Sequence, residues 1–275
     1  MCCLWTATGP YHGAMDAAFF DLDKTIIAKS STLAFSKPFQ AGGLLSRKAL
    51  LRSAYSQFVY VVGGADHEQM EKMRHMLSEL VTGWDVASVK EIVADTLHNI
   101  VDPLVYDEAV QLIEQHRSAG RDVVIVSASG TEVVEPIGEM LGADHVVATR
   151  MSVAEGKYTG EITFYAYAEG KAKAIRELAE RKGYDLAQCY AYSDSITDIA
   201  MLEEVGHPFA VNPDKDLRRI AKERGWPILV FTRPVGLRSR VPITTPIALS
   251  AIAVGGAVAL GGVLWAGARR RKIGA

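Results

Sequence analysis

The apolar run Ala17-Ala18-Phe19-Phe20 leads directly into Asp21-Leu22-Asp23-Lys24-Thr25. No other junction in the chain constrains the fold as much. An unbroken apolar run that ends in carboxylates reads as a buried strand of an α/β sheet, and open sheets of that kind carry their chemistry at the strands' carboxyl ends. Two aspartates two residues apart on an extended segment point to opposite faces. A chain leaving its strand can nevertheless turn both toward one centre, where a shared Mg²⁺ would remove their mutual repulsion. The same pentapeptide also reads as a strand ending in a polar turn, so the choice rests on what the remaining chain brings to that edge.

About ninety residues of helical apolar spacing follow, broken by Gly42-Gly43, Gly63-Gly64, Gly83 and Pro103, and they read as a helical insert. Within it Met70, Met73, Met76, Leu77 and Leu80 recur at three- and four-residue steps, the pattern of a packing face. Ser118-Ala119-Gly120-Arg121 closes a helix, and the β-branched run Asp122 to Val126 reads as a second buried strand. Further strands are expected at Val146-Val147-Ala148, Cys189 to Tyr192, Phe209 to Val211 and Ile228 to Val230, with helices at Lys171 to Arg181 and near Asp198 to Glu204. Strands alternating with helices predict an α/β fold with a doubly wound parallel sheet. Met151 to Phe164 alternates around Glu155-Gly156 and Thr159-Gly160 and reads as a β-hairpin.

Composition narrows the function classes. A formal charge of -2, with 30 basic residues spread through 275, gives no basic stripe and argues against nucleic acid as a partner. Three cysteines, Cys2, Cys3 and Cys189, form no C-x-x-C pair, and the seven histidines show no ligand spacing. Zinc and a disulfide scaffold are both disfavoured. The first fourteen residues lack the basic and apolar regions of a secretory signal. Ile247 to Ala268 is a 22-residue stretch without a charge. At about 1.5 Å per residue it is long enough to cross a hydrocarbon core of about 30 Å, and it is expected to form a single transmembrane helix. Ala257 and Gly261 give that helix a small-xxx-small face on which a homodimer could form. The expected location is the cell membrane, with the catalytic part in the cytoplasm. The orientation stays open, because Arg269-Arg270-Arg271-Lys272 would favour a cytoplasmic carboxyl end.

Three further polar signals fall where parallel strands would deliver them to the edge that holds Asp21 and Asp23. Ser127 follows Val123-Val124-Ile125-Val126, and its hydroxyl could hold a phosphate oxygen or cap the next helix. Lys171 follows Gly170 at a helix start, where a cation is locally unfavourable and needs an anionic partner. Asp194 and Asp198 lie at i and i+4 after the strand Tyr190-Ala191-Tyr192 and suit either capping or a metal. Three or four carboxylates at one sheet edge suggest a hard, oxygen-ligated cation, with Mg²⁺ favoured over Zn²⁺.

The order D-x-D-x-T, apolar strand then Ser, Lys at a helix start, and D-S-x-x-D resembles the haloacid dehalogenase superfamily over roughly Asp16 to Phe231. Within it the pattern resembles the phosphoserine-phosphatase-like subgroup, which has a helical cap inserted after the first motif. The resemblance implies a Rossmann-like core at 15–28 and 108–232 and a cap at 29–107. An extension at 1–14, a linker at 233–246, the membrane segment at 247–268 and a basic tail at 269–275 complete the expected organisation. It further implies a Mg²⁺-dependent hydrolase acting on a small phosphorylated metabolite through an aspartyl-phosphate. Asp21 would be the nucleophile and a metal ligand. Asp23 would be the acid and base, and would ligate the metal through its carbonyl. Ser127, Lys171 and Thr25 would hold the phosphoryl group, and Asp194 would ligate the metal. Asp198 would orient metal waters or the lysine. The motif departs at Ser30, nine residues after Asp21, where phosphoserine phosphatases carry a glutamate for the substrate ammonium. That departure favours an acidic or uncharged leaving group. Two other functions fit the same pattern: a membrane-associated protein sensing a phosphorylated metabolite, and a phosphotransferase to an alcohol.

Overall fold

The computed structural model describes residues 16–45 and 67–234, with 67–73 described by backbone alone. Seven strands form one sheet in the order β4-β3-β2-β1-β5-β6-β7. They are β1 Ala17–Asp21, β2 Asp122–Gly130, β3 His145–Ala154, β4 Lys157–Phe164, β5 Tyr190–Ser193, β6 His207–Val211 and β7 Ile228–Leu229. All neighbours are parallel except β3 and β4, so the sheet is mostly parallel with one antiparallel edge strand. The helices are α1 Ser31–Ala34, α2 Ser36–Ala41, α3 His67–Val81, α4 Val86–Ile100, α5 Asp107–Ser118, α6 Thr131–Leu141, α7 Glu169–Lys182, α8 Ile199–Glu203 and α9 Lys215–Arg224.

The unbroken apolar run of β1 is explained by its place at the sheet's centre. Ala18 and Phe20 face one core, with Val93 of α4, Ile113 of α5 and Ile137 of α6. Ala17 and Phe19 face the other, with Ile175 of α7, Leu202 of α8 and Leu217 of α9. Helices on both faces leave no strand face for water, so the usual polar alternation disappears. On the first face Phe20, Tyr192 and Phe209 stack across three strands at centroid separations of 4.6 and 5.0 Å. Truncating Phe20 would remove the first ring of that ladder and cost about 3–5 kcal/mol.

Several expected elements are longer or shifted. The short strand at Val146 and the hairpin at 151–164 form one continuous pair, β3 and β4. The strand expected to end at Val126 continues to Gly130, so Ser127 lies inside β2 and not beyond it. The helix expected to open at Lys171 begins at Glu169. Among the described residues no helix is long and apolar enough to cross a membrane. The span expected at 247–268 lies outside the described residues.

The helices between β1 and β2 are tied to the β3–β4 hairpin by backbone hydrogen bonds that the sequence did not announce. Gly83 N donates to Tyr158 O at 2.8 Å, Tyr158 N to Trp84 O at 3.0 Å, and Val86 N to Gly156 O at 2.9 Å. The Ser78 hydroxyl also donates to Gly160 O. Asp85 starts α4 by accepting from Ser88 N at 2.7 Å.

Candidate active site

Parallel register sets the site. Asp21 pairs with Val126, and Phe20 pairs with Tyr192, so β1, β2 and β5 end side by side with Asp21 beside Ser127 and Ser193. After β1 the chain closes a tight turn in which Leu22 O accepts from both Ile26 N and Ile27 N, at 3.0 and 3.1 Å. Lys24 takes a left-handed conformation within it, at φ 62°. The turn brings the fully buried Thr25 back toward the strand, where its hydroxyl donates to Asp21 Oδ2 at 3.2 Å. Thr25, expected to meet phosphate, therefore contacts the Asp21 carboxylate.

Lys171 reaches the same carboxylate from α7. Its Nζ donates to Asp21 Oδ1 at 2.6 Å and to Asp198 Oδ2 at 2.7 Å. Asp198 Oδ2 also accepts from the Ser193 hydroxyl at 2.7 Å. All these groups are buried. The lysine is placed by a backbone contact: a Cβ on Gly170 would lie 2.1 Å from Tyr165 O, so only glycine lets the helix start approach that loop. Asp198 thus reaches the lysine, one of the two partners expected for it.

Burial pushes the Asp21 carboxyl well above its ordinary range. Lys171 pulls it back, and Asp198, Asp194 and Asp23 push it up again. Burial would lower the Lys171 ammonium, but Asp198 and Asp21 more than offset this and hold it charged. Asp23 is raised by burial, with partial compensation from Ser31 N, which donates to its Oδ1 at 2.8 Å. Asp194 is raised by burial and by Asp198 against the pull of Lys24 and Lys171. A carboxyl with a raised pKa is suited to giving up a proton near neutral pH, and Asp23 is the one beside the turn leading into α1.

Among the described residues no three His, Cys, Asp or Glu side chains gather into a protein-only metal cage. No donor among those residues reaches the Asp194 carboxylate, although Asp194 is only 8% exposed. Four carboxylates crowd one ammonium here, and their mutual repulsion adds to the burial that already raises Asp21 and Asp194. Mg²⁺ commonly takes one or two carboxylates and keeps several waters, so Asp21, Asp194 and the Asp23 carbonyl are a fitting set.

Ser127 is buried, and its Oγ accepts from Ser129 N at 3.2 Å. Beside it the β2–β3 register slips: Ser127 pairs with Ala148 and Gly130 with Thr149, which leaves Ala128 and Ser129 as a bulge. Bulges re-aim side chains beside active sites. Ser129 Oγ lies 2.7 Å from Ser31 Oγ, so a chain of serines links β2 to the turn after Asp23. The sequence reading missed Ser129 and Ser31, and it took Ser193 only as a small change where the family often has Gly. The small polar run Ser127-Ala128-Ser129-Gly130 was the available signal. It also missed Asp214, whose carboxylate accepts from Ile196 N and Leu217 N at 2.8 Å each and whose own N donates to Asp194 O at 2.8 Å. This residue pins the loop that presents Asp194.

Known proteins resemble the chain in sequence and in fold. A protein of Streptomyces azureus named for inhibition of morphological differentiation is 63% identical over 260 residues, covering 93% of this chain and 94% of that one. A probable phosphatase of Mycobacterium tuberculosis is 59% identical over 267 residues, covering 96% and 93%. Among solved structures, a phospho-aspartyl intermediate analogue of phosphoserine phosphatase superposes with a TM-score of 0.57 at 21% identity, over 82% of this chain and 97% of that one, a likeness of fold. The family profile of haloacid dehalogenase-like hydrolases matches residues 18–203, from β1 through α8, a span that contains all four motif positions. The chain belongs to the haloacid dehalogenase-like hydrolase family.

Proposed function

We propose that the chain is a Mg²⁺-dependent phosphatase that hydrolyses a small phosphomonoester through an aspartyl-phosphate on Asp21. The observation that carries this reading is the buried contact of Asp21 with Lys171 at 2.6 Å, backed by Asp198. A surface carboxylate would gain little from a lysine. Two buried carboxylates sharing one ammonium at a sheet edge leave a net negative charge, which a bound cation would offset and so admit an anionic guest. The 59% identity to a probable phosphatase supports the same reaction class.

In this mechanism the Asp21 carboxylate attacks phosphorus in line while the P–O bond to the alcohol breaks. Asp23 delivers its proton to the departing alkoxide, so the alcohol leaves neutral. Lys171 and Ser127 hold the phosphoryl oxygens, and Thr25 fixes the rotamer of Asp21 through its hydrogen bond. Asp23, now ionised, takes a proton from water as that water attacks phosphorus. The bond to Asp21 breaks, and inorganic phosphate leaves. A bound Mg²⁺ supplies the charge neutralisation that lets an anionic nucleophile meet a phosphate dianion. Splitting one displacement into two is the gain from a covalent intermediate.

The test is Mg²⁺-dependent turnover of p-nitrophenyl phosphate by the full-length chain. Turnover should vanish with a chelator and return with Mg²⁺. Absence of turnover in the wild type, or an Asp21→Asn variant as active as wild type, would sink the reading. If added alcohols captured the phosphoryl group in preference to water, the phosphotransferase alternative would replace it.

A further inference from the structure

A cavity of about 360 Å³ opens beside the reacting edge, between the helices inserted after β1 and the bulge of β2. Its size sits at the lower end of the roughly 300–1,000 Å³ typical of small-molecule sites. Most of its wall is hydrocarbon and aromatic: Phe39, Leu77, Leu80, Trp84, Val89 and Val133. Its polar end is Ser129 with Thr32, whose hydroxyls are 3.3 Å apart. Ser129 is one step from Ser127 through its N–H, and one step from Ser31 through its Oγ. Ser31 in turn donates to Asp23. The cavity therefore begins where the proposed acid would hand its proton to the leaving alcohol.

Charge decides what the cavity would hold. No lysine or arginine is among the described residues that line it, so none of these would pair with a substrate carboxylate. Glu132 is the one charged residue among the described residues of the wall. It lies in the first turn of α6, where the helix N-terminus already favours it, and burial, together with its charge, holds the nearby Tyr158 hydroxyl in its protonated form. Against the described lining a zwitterionic leaving group would bury its carboxylate beside hydrocarbon and a second carboxylate, a costly arrangement. Hydrocarbon would lose nothing.

We infer that the alcohol released here carries an apolar body, so that the substrate is a phosphomonoester with a hydrocarbon leaving group rather than a phosphorylated amino acid. This rests on the phosphatase reading above. Burying hydrocarbon in the cavity during the reaction gives a measurable slope, because about 0.8 kcal/mol per buried methylene corresponds to a roughly three- to fourfold gain in kcat/KM for each one.

The experiment is a set of kcat/KM values for the full-length chain with Mg²⁺ on methyl, propyl, butyl and hexyl phosphate, on 6-aminohexyl phosphate and on phosphoserine. The expected result is a three- to fourfold rise per methylene, by the same relation, with hexyl phosphate ahead of both its amino analogue and phosphoserine. Leu33 lines the cavity and is 52% exposed, so Leu33→Asp leaves the core untouched. It should lower the ratio of hexyl to propyl turnover at least threefold by the same relation, and an unchanged ratio would count against the cavity. Turnover that is flat with chain length, or preference for phosphoserine or the aminohexyl ester, would overturn the inference and leave the phosphatase reading standing. No turnover of any ester would overturn both.

Discussion

The carboxyl edge of the sheet and the cavity beside it are built on opposite principles. At the edge, Asp21, Lys171 and Asp198 are buried charges held to each other at 2.6 and 2.7 Å. In the cavity, Phe39, Leu80 and Val133 present hydrocarbon, and Glu132 is the one charged residue among the described lining. Buried ions need partners in fixed geometry, so the edge tolerates almost no change. An apolar wall accepts any group of suitable size, so the cavity can drift in specificity while the chemistry next door stays constant. Reaction and recognition are thus separable, and the serine chain from Ser127 to Ser31 joins them.

Substitutions can break that division, beginning with the most damaging. Asp21→Asn should reduce turnover of every phosphate ester by roughly 10⁴-fold or more, as loss of a nucleophile does, whatever the leaving group. A residual rate that still depended on chain length would show the cavity acting alone. Lys171→Met should next destabilise the fold by about 3–5 kcal/mol, measured by urea unfolding, because it leaves Asp21 and Asp198 buried without their shared cation. Restoring a neutral partner with the double variant Lys171→Met/Asp198→Asn should recover part of that loss.

A pH effect should appear away from both regions. His116 sits in the core, its Nε2 2.8 Å from the Tyr192 hydroxyl, and burial with Arg121 nearby pushes its imidazole down to about 4. The folded value is below the ordinary 6.5, so the unfolded chain takes up the proton first. Stability from this residue is present above pH 6.5 and is lost as pH falls through about 4. The loss is at most on the order of 3 kcal/mol. Unfolding curves at pH 7 and 4.5 should differ less for His116→Phe than for wild type. The smallest effect should come from Asp85→Ala, which removes the cap of α4 at the cavity wall and should cost about 1 kcal/mol.

How much of this was legible in the sequence follows the same division. Asp21, Asp23, Ser127, Lys171, Asp194 and Asp198 announced themselves because each stands next to an apolar run or a glycine whose element is plain from the sequence. The α/β alternation was legible for the same reason. The bulge at Ala128 and Ser129 was not, since it comes from a register slip against β3 that no local pattern encodes. Asp214 was hidden because its partners, Ile196 and Leu217, meet only after folding. The cavity was least legible. Its wall comes from α1 and α2, α3, α4, α6 and the β3–β4 hairpin, and each segment alone reads only as an apolar helix or strand. The tie between that hairpin and Gly83 to Val86 is likewise a pairing between distant backbones.

The central claim is that Asp21 carries the phosphoryl group. It is most directly tested by acid-quenching the full-length Asp23→Asn variant, in which loss of the general base slows hydrolysis of the intermediate, during reaction with p-nitrophenyl phosphate and Mg²⁺. Mass spectrometry of its peptides would then locate any adduct. The account predicts a phosphoryl group on the peptide containing Asp21, formed faster than steady turnover and absent from the Asp21→Asn/Asp23→Asn double variant. Turnover without any adduct on that peptide, or an adduct that survives the loss of Asp21, would contradict it.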